Sequence, residues 1–164
     1  MSGIVKRSDK IAFYGIMEGQ TLTYHRMSKF TEMSVSKNPK EYSRQYIDKT
    51  FEETDVVGYS PSMSYNFDEH ADNPVHADIA AIHDNEVIGA AAVRPILVVD
   101  FTKDGATAGT FEARLREFAV IPDGEGDSTD AYTYSGNFKV KGDPVVGTAT
   151  TTDGWETCTF EPEE

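Results

Sequence analysis

The chain has 164 residues, 38% hydrophobic and 26% charged, so its composition argues against a fully disordered protein and suits one domain with its own core. Its formal net charge of −13 argues against a protein that binds nucleic acid or an anionic membrane, because both partners need a basic face. The single cysteine, Cys158, excludes an intrachain disulfide framework.

Residues 1–19 contain no continuous apolar stretch of signal-peptide length, and no run elsewhere approaches the length that spans a membrane. We therefore expect a chain that is made and kept in the cytoplasm, or that leaves it by a route other than secretion.

The next segment, residues 21–36, alternates between apolar and polar positions and predicts a strand pair with a turn or bulge between the two strands.

Residues 37–58 have no clear period and carry many charges together with exposed-looking aromatic residues. We interpret them as a long loop, and such a loop in a compact domain is usually functional or disordered. After it, SMSYNFDE (62–69) alternates cleanly and places Met63, Tyr65 and Phe67 on one face of a strand.

Residues 74–86 are predicted to form a helix, with Asn73 as its N-cap and an apolar face at helical spacing. Gly89 is the expected stop. Two histidines of this segment, His76 and His83, lie about 10 Å apart by helix rise, too far to chelate one ion. We expect satisfied or exposed histidines there and no metal site.

Four further segments have strand patterns. RPILVVDF (94–101) is a continuous apolar run that predicts a strand covered on both faces. Residues 110–121 alternate, but their phase slips by one, which predicts a β-bulge near Glu117. Alternation also predicts strands at 131–141 and 154–161, the latter with Cys158 as a buried, inert thiol.

An acidic loop, DGEGDSTD (123–130), separates two of these strands. It vaguely resembles a calcium loop but lacks the full pattern and the closing glutamate, so solvation of a hairpin loop is the favoured interpretation. No glycine-flanked nucleophilic serine, reactive cysteine or phosphate-cradling glycine loop is present. We therefore expect no enzyme activity, no cofactor and no metal.

Three stretches of the sequence carry a likeness to a known family. They are SVSKNPKEYSRQYIDKTFEETDVVGYSPSMSYNFD (34–68), EFAVIPDGEGDSTDAYTYSGNFKVKGDPVVGTAT (117–150) and WETCTF (155–160). In these stretches the chain resembles a tail tube (major tail) protein of long-tailed bacteriophages. The resemblance lies in the order and character of the segments, which span well over half of the chain.

The resemblance implies a single mainly β domain over residues 1–164, a β-sandwich or open barrel with one flanking α-helix. Subunits of that family form hexameric rings, whose inner strands join into one β-barrel around a channel, and the rings stack into a tube. The implied partners are further copies, the tape measure, tail terminator and distal tail proteins, and DNA that passes without specific binding. The implied location is the virion tail, assembled in the host cytoplasm, with no membrane contact.

The resemblance also implies roles for three sets of residues. Residues 37–58 stand where a long loop reaches the neighbouring ring. The expected inter-ring contacts are Lys40, Tyr42, Arg44, Gln45, Tyr46, Asp48 and Lys49. The expected acids of the lumen or rim, taken as exposed loop positions, are Asp123, Glu125, Asp127 and Asp130. The polar strand face expected within the ring is Thr133, Ser135, Asn137 and Lys139.

Two other functions are consistent with the same sequence. The first is a stand-alone β-sandwich that binds calcium or carbohydrate, although the chain has one tryptophan, Trp155, and sugar sites usually use several aromatic residues. The second is a small hydrolase whose catalytic residues meet only in the fold. We rank a tube protein above a binding module, and a binding module above an enzyme.

Overall fold

The computed structural model of the chain describes residues 3–163. Within them the backbone forms eleven β-strands, one α-helix and two short 3-10 turns. The elements are β1 (Lys10–Glu18), β2 (Thr21–Arg26), β3 (Phe30–Ser36), β4 (Pro39–Arg44), β5 (Glu53–Tyr59), β6 (Ser62–Asp68), α1 (Pro74–Asp84), β7 (Val93–Asp104), β8 (Phe111–Glu125), β9 (Thr133–Val140), β10 (Val145–Thr150) and β11 (Thr157–Pro162). The predicted fold class, mainly β with one flanking helix, is confirmed.

Six strands close into a barrel. Each pairs antiparallel with its neighbours in the order β1, β2, β11, β10, β8 and β7, and β7 returns to β1. The barrel interior, which we call the barrel core, holds the buried residues Phe13, Tyr24, Leu97, Val99, Ala113, Ala149 and Cys158. The expectation that Cys158 is a buried residue of the last strand is thereby confirmed.

A second sheet is continuous with the barrel through β8. Beyond β8 the strand order continues through β9 and β6 to β3, and α1 packs against this curved sheet together with β1 and β7. Between them lies the helix core, whose largest fully buried side chains are Tyr14, Tyr65, Phe67, Ile79, Ile82, Ile96 and Phe138. Met63, Tyr65 and Phe67 share one buried face, as predicted.

The strands β1 and β7 separate the two cores, so alternate residues face opposite sides. Ile96 belongs to the helix core and Leu97 to the barrel core, and Tyr14 and Phe13 divide in the same way. A strand that is covered on both faces has a continuous apolar run, because neither face meets water. The prediction made from residues 94–101 is therefore confirmed.

The predicted β-bulge near Glu117 is wrong. The register between β7 and β8 runs without a break from Val93 and Ala119 through Pro95 and Glu117. Ala113 faces the barrel core, whereas Phe118 and Val120 face the helix core. The phase of the buried positions changes because β8 leaves the barrel core and enters the helix core. The backbone of the strand continues regularly through this change.

The two strands predicted within 21–36 form, but they do not pair with each other. β2 makes a hairpin with β1 through a turn that contains Gly19 (φ 68°), and it also pairs with β11. β3 pairs with β6 in the other sheet. The stretch between β2 and β3 thus carries the chain from the barrel to the second sheet.

The helix begins as predicted. Asn73 Oδ1 accepts hydrogen bonds from the backbone N–H groups of Val75 (3.0 Å) and His76 (3.3 Å). The predicted stop at Gly89 is wrong, because α1 ends at Asp84, and Glu86 takes the left-handed conformation (φ 49°) just beyond it. A left-handed residue directly after a helix is a common way of ending it.

A polar network fixes α1 to the sheet. The Tyr14 hydroxyl of β1 donates to Asp78 Oδ2 on the helix (2.5 Å), and Arg94 Nε of β7 donates to the same oxygen (2.9 Å). Burial and the nearby Asp78 carboxylate raise the pKa of Tyr14 well above its usual value. The hydroxyl therefore stays protonated and keeps donating.

His76 and His83 are buried and hydrogen-bonded within the helix core. His76 Nδ1 accepts from the backbone N–H of His70 (3.1 Å), so its Nε2 donates to the Ser28 carbonyl (3.1 Å), and its ring stacks on Phe67. Burial lowers the pKa of His76 from 6.5 to about 4. Burial also lowers the pKa of His83, against the opposing effect of Glu125.

We expect the free energy of unfolding to fall as the pH drops from about 6.5 towards about 4. In this window the unfolded chain binds protons at His76 and His83 that the folded chain does not, so each histidine contributes a slope of at most about 1.4 kcal/mol per pH unit. Urea unfolding at a series of pH values measures the slope. The variant His76→Gln should show a shallower slope than the unmodified chain, and an equal slope would contradict the role of His76.

Candidate functional site

Residues 37–60 form a β-hairpin that stands apart from both cores, and we call this segment the arm. β4 and β5 pair antiparallel from Pro39 and Tyr59 to Arg44 and Glu53, with an irregularity after Lys40. They form a two-stranded sheet of their own. The segment interpreted from the sequence as a loop is therefore mostly strand.

The arm is exposed along its whole length. Every residue from Ser34 to Val57 is exposed to solvent. At its root, Asn38 takes a positive φ of 48°, and its side-chain amide donates to the Ser60 carbonyl (3.0 Å) and to Ser62 Oγ (3.3 Å). These bonds fix the root of the hairpin to the start of β6.

The structure brings the seven predicted inter-ring residues together on the arm. Lys40, Tyr42 and Arg44 lie on β4, and Gln45, Tyr46, Asp48 and Lys49 lie in the connection between β4 and β5. The Arg44 guanidinium lies 5.4 Å from the centroid of the Tyr42 ring, and its Nε donates to the Tyr42 hydroxyl. Lys49 N–H donates to the Tyr46 carbonyl (3.0 Å) and closes the turn.

Sequence reasoning missed the most exposed apolar side chain of the arm. Ile47 at the tip has a relative exposure of 108%, and nearby Phe51 has 82%. The other exposed large apolar side chains of the arm are Tyr42, Tyr46, Val56, Val57 and Tyr59. Isolated apolar residues on a surface are ordinary, but a contiguous exposed apolar set indicates an interaction site. The feature of the sequence that could have identified Ile47 is an apolar residue among charged residues, in a segment that has no hydrophobic period.

A second feature, which we call the acidic rim, is a set of acids at the end of β8, in the β8–β9 loop, just after β6 and at the end of α1. The Tyr132 hydroxyl donates to Glu125 Oε2 (2.7 Å), and the Tyr134 hydroxyl donates to Asp84 Oδ1 (3.3 Å). Burial, followed by the carboxylates of Glu69, Asp84 and Glu125, raises the pKa of Tyr134. The members of the rim are Glu69, Asp84, Asp123, Glu125, Asp127 and Asp130.

The four rim acids predicted from the sequence differ in their surroundings. Asp123 and Glu125 lie at the end of β8, and Asp127 and Asp130 lie in the loop after it, so the expectation that all four are loop positions is wrong. All four are exposed. Sequence reasoning missed Glu69 and Asp84 because they follow β6 and end α1, far away along the chain.

The polar residues of β9 form a face that is partly covered. Thr133 is buried, and its hydroxyl donates to Asp127 Oδ1 (2.5 Å). Ser135 and Asn137 are half-buried and Lys139 is exposed. β6 pairs with β9 along one edge and β8 along the other. Both edges of this strand are therefore paired within the domain, and a neighbouring molecule can reach only its face.

The free strand edge of the second sheet belongs to β3. Within residues 3–163, β3 pairs with β6 and with no other strand, so its outer backbone groups are available to a partner. Val35 on this strand is exposed as well. An uncovered edge of this kind favours pairing with another chain.

The described residues show no cluster suited to a metal ion, and their one cysteine is buried. Among residues 3–163 no cluster of three or more His, Cys, Asp or Glu side chains is placed to hold an ion. Burial raises the pKa of the Cys158 thiol to about 12, which keeps it protonated and unreactive. In the same range of residues, no helix has the length and apolar character needed to cross a membrane.

Comparisons with known proteins give little information about the function of these surfaces. No protein-family model matches the chain, and no curated protein sequence matches it. Among solved structures, the chain is similar to a chain in the cryo-EM structure of the anti-feeding prophage baseplate, six-fold symmetrised. The TM-score is 0.48 with 8% identity, covering 89% of this chain and 97% of that chain. A likeness at this level establishes no shared function.

We expect Asp127→Ala to lower the free energy of unfolding by about 1–2 kcal/mol, because it removes the carboxylate that accepts from the buried Thr133 hydroxyl. Asp130→Ala removes the same charge from an exposed position without such a bond and should stay within about 0.5 kcal/mol of the unmodified chain. Urea unfolding of both variants checks the difference. Equal stability of the two variants would show that the Thr133 contact contributes nothing.

Proposed function

We propose that the protein is a structural virion protein that assembles into stacked rings and forms the tail tube of a long-tailed bacteriophage. The observation that carries the proposal is the arm, a hairpin whose apolar side chains, Ile47 and Phe51 above all, are exposed to solvent. The family resemblance of residues 34–68 supports the same role, since the arm lies where a segment that reaches the next ring belongs. The proposed inter-ring contacts are the seven arm residues from Lys40 to Lys49.

The free edge of β3 supports the closure of rings. A monomer that exposes such an edge risks uncontrolled pairing, whereas a ring covers the edge of every copy. We take the ring to be hexameric, as the resemblance implies. The face of β9 that carries Ser135, Asn137 and Lys139 is proposed to lie within the ring.

The charge of the chain supports a conduit for DNA. A lumen lined by carboxylates offers no cation to a passing phosphate, so DNA finds no anchoring contact. We propose that the acidic rim faces this lumen or its mouth. The proposed partners are other copies of the chain, the tape measure, tail terminator and distal tail proteins, with assembly in the host cytoplasm and a final place in the virion tail.

The first test is assembly itself. We expect the purified chain to sediment as a monomer at low concentration and to form rings or tubes when concentrated at high salt, because salt screens the repulsion between chains of net charge −13. Negative-stain electron microscopy of the same samples identifies the particles. A chain that remains monomeric at every salt and protein concentration would overturn the proposal.

The second test removes the arm. Replacing Tyr42–Asp55 by Asn-Gly leaves Glu41 and Val56, which pair in the native hairpin, joined by a favoured two-residue turn. The variant should unfold at nearly the same urea concentration as the unmodified chain, because it retains both cores, but it should form no tubes. Full-length tubes from this variant would show that the arm does not join rings.

The third test concerns the lumen. Asp123→Lys and Asp130→Lys reverse the charge of exposed rim positions, and a ring repeats each lysine in every copy. We expect normal tubes but slower genome ejection for at least one variant, because each phosphate contact releases counterions and strengthens binding. Normal ejection by both variants, measured on assembled particles, would place these acids outside the lumen.

A further inference from the structure

A groove with an apolar floor and a cationic rim runs between β3 and the segment that precedes β1. It has two adjoining sections of about 550 and 380 Å³, which share Arg7, Ala12 and Met33. The floor is built from side chains of four strands. The apolar residues of the larger section are Val5, Ala12, Met33, Val35, Met63 and Val98.

The rim of the larger section is basic although the whole chain is acidic. Lys6, Arg7 and Lys10 line it. Lys10 Nζ lies 3.8 Å from Asp100, but no carboxylate of the described residues lies within 4 Å of the Lys6 or Arg7 side-chain nitrogens. Glu32 is the acidic side chain that lines the smaller section. The larger section therefore favours an apolar ligand that carries negative charge.

The tip of the arm has this chemistry. Ile47 and Phe51 are its most exposed apolar side chains, and Asp48, Glu52 and Glu53 stand beside them. Lys49 is the basic residue in that stretch. Apolar groups that fill a pocket, with charges that pair at the rim, are the usual anatomy of a protein interface.

We infer that the larger section of this groove receives the arm tip of another copy of the chain. The arm leaves the second sheet beside Val35 and Met63, which line the groove. β4 has six residues, which extend about 20 Å. Ile47 at the tip is fully exposed, so the tip does not lie in the groove of its own chain. The contact joins two different surfaces, and such contacts generate rings or open stacks.

This inference rests on the proposed function, because it names the surface on which self-assembly takes place. Its test is disulfide trapping between two variants that each carry one introduced cysteine, with the native Cys158 left buried. Ile47→Cys is mixed with Val35→Cys under the conditions of the assembly test and oxidised mildly. The matched control mixes Ile47→Cys with Ile88→Cys, since Ile88 is also exposed and does not line the groove.

We expect the tip–groove pair to give at least about tenfold more crosslinked dimer than the control pair. Equal yields in a sample that forms tubes would overturn the inference and leave the proposed function standing. If the unmodified chain never assembles and neither pair crosslinks, the proposed function fails and the inference fails with it. Selective crosslinking without tubes would support the tip–groove contact alone.

A charge exchange supplies an independent readout. Arg7→Glu and Glu52→Lys should each raise the concentration needed for assembly by about tenfold, because each replaces an attraction with a repulsion. The double variant should return to within about threefold of the unmodified chain, as coupled neighbours do. Lys141→Glu makes the same charge change as Arg7→Glu at an exposed site away from the groove and should have a smaller effect. Additive losses in the double variant would overturn the pairing.

Discussion

The structure depends on the two edges of β8. Along one edge β8 pairs with β7, and along the other it pairs first with β10, from Phe111 to Leu115, and then with β9, from Phe118 onward. The first half of β8 therefore closes the barrel, and its second half pairs with β9 and so begins the second sheet. One continuous strand holds two cores in a fixed relation, because its backbone cannot bend freely while both edges are hydrogen-bonded.

This arrangement determines which strand edges are available for pairing with another chain. A closed barrel covers most of its own strand edges, so the barrel half offers little for pairing with other chains. Within residues 3–163 the second sheet ends at β3 without a further strand, and the ribbon of β3 and β6 continues into the arm. The free edge, the arm and the groove thus lie on one side of the domain, which is the side where the proposed assembly would take place.

Local patterns in the sequence predicted much of this fold, and long-range pairing explains what they missed. The N-cap and periodicity of α1 and the alternation of β6 depend on neighbouring residues, so both were predicted. The change of phase in β8 looked like a bulge because a pattern shows that a face is buried but not which core buries it. The arm looked like a loop because a hairpin exposed on both faces has no hydrophobic period. The rim was predicted only in part, because Glu69 and Asp84 reach it through the fold.

The energetics of the arm bear on how the proposed assembly would begin. Burying Ile47 and Phe51 in a groove stabilises a contact by about 1.5–3 kcal/mol for each side chain. Association costs about 4–15 kcal/mol in lost translational and rotational freedom, so one arm does not hold two free monomers together. In the proposed tube, where a ring meets a ring, several arms would engage at once while this cost arises once, and the contacts would reinforce one another. On that proposal, weak individual arms would favour growth from existing rings over association of monomers, and the net charge of −13 would oppose the latter further.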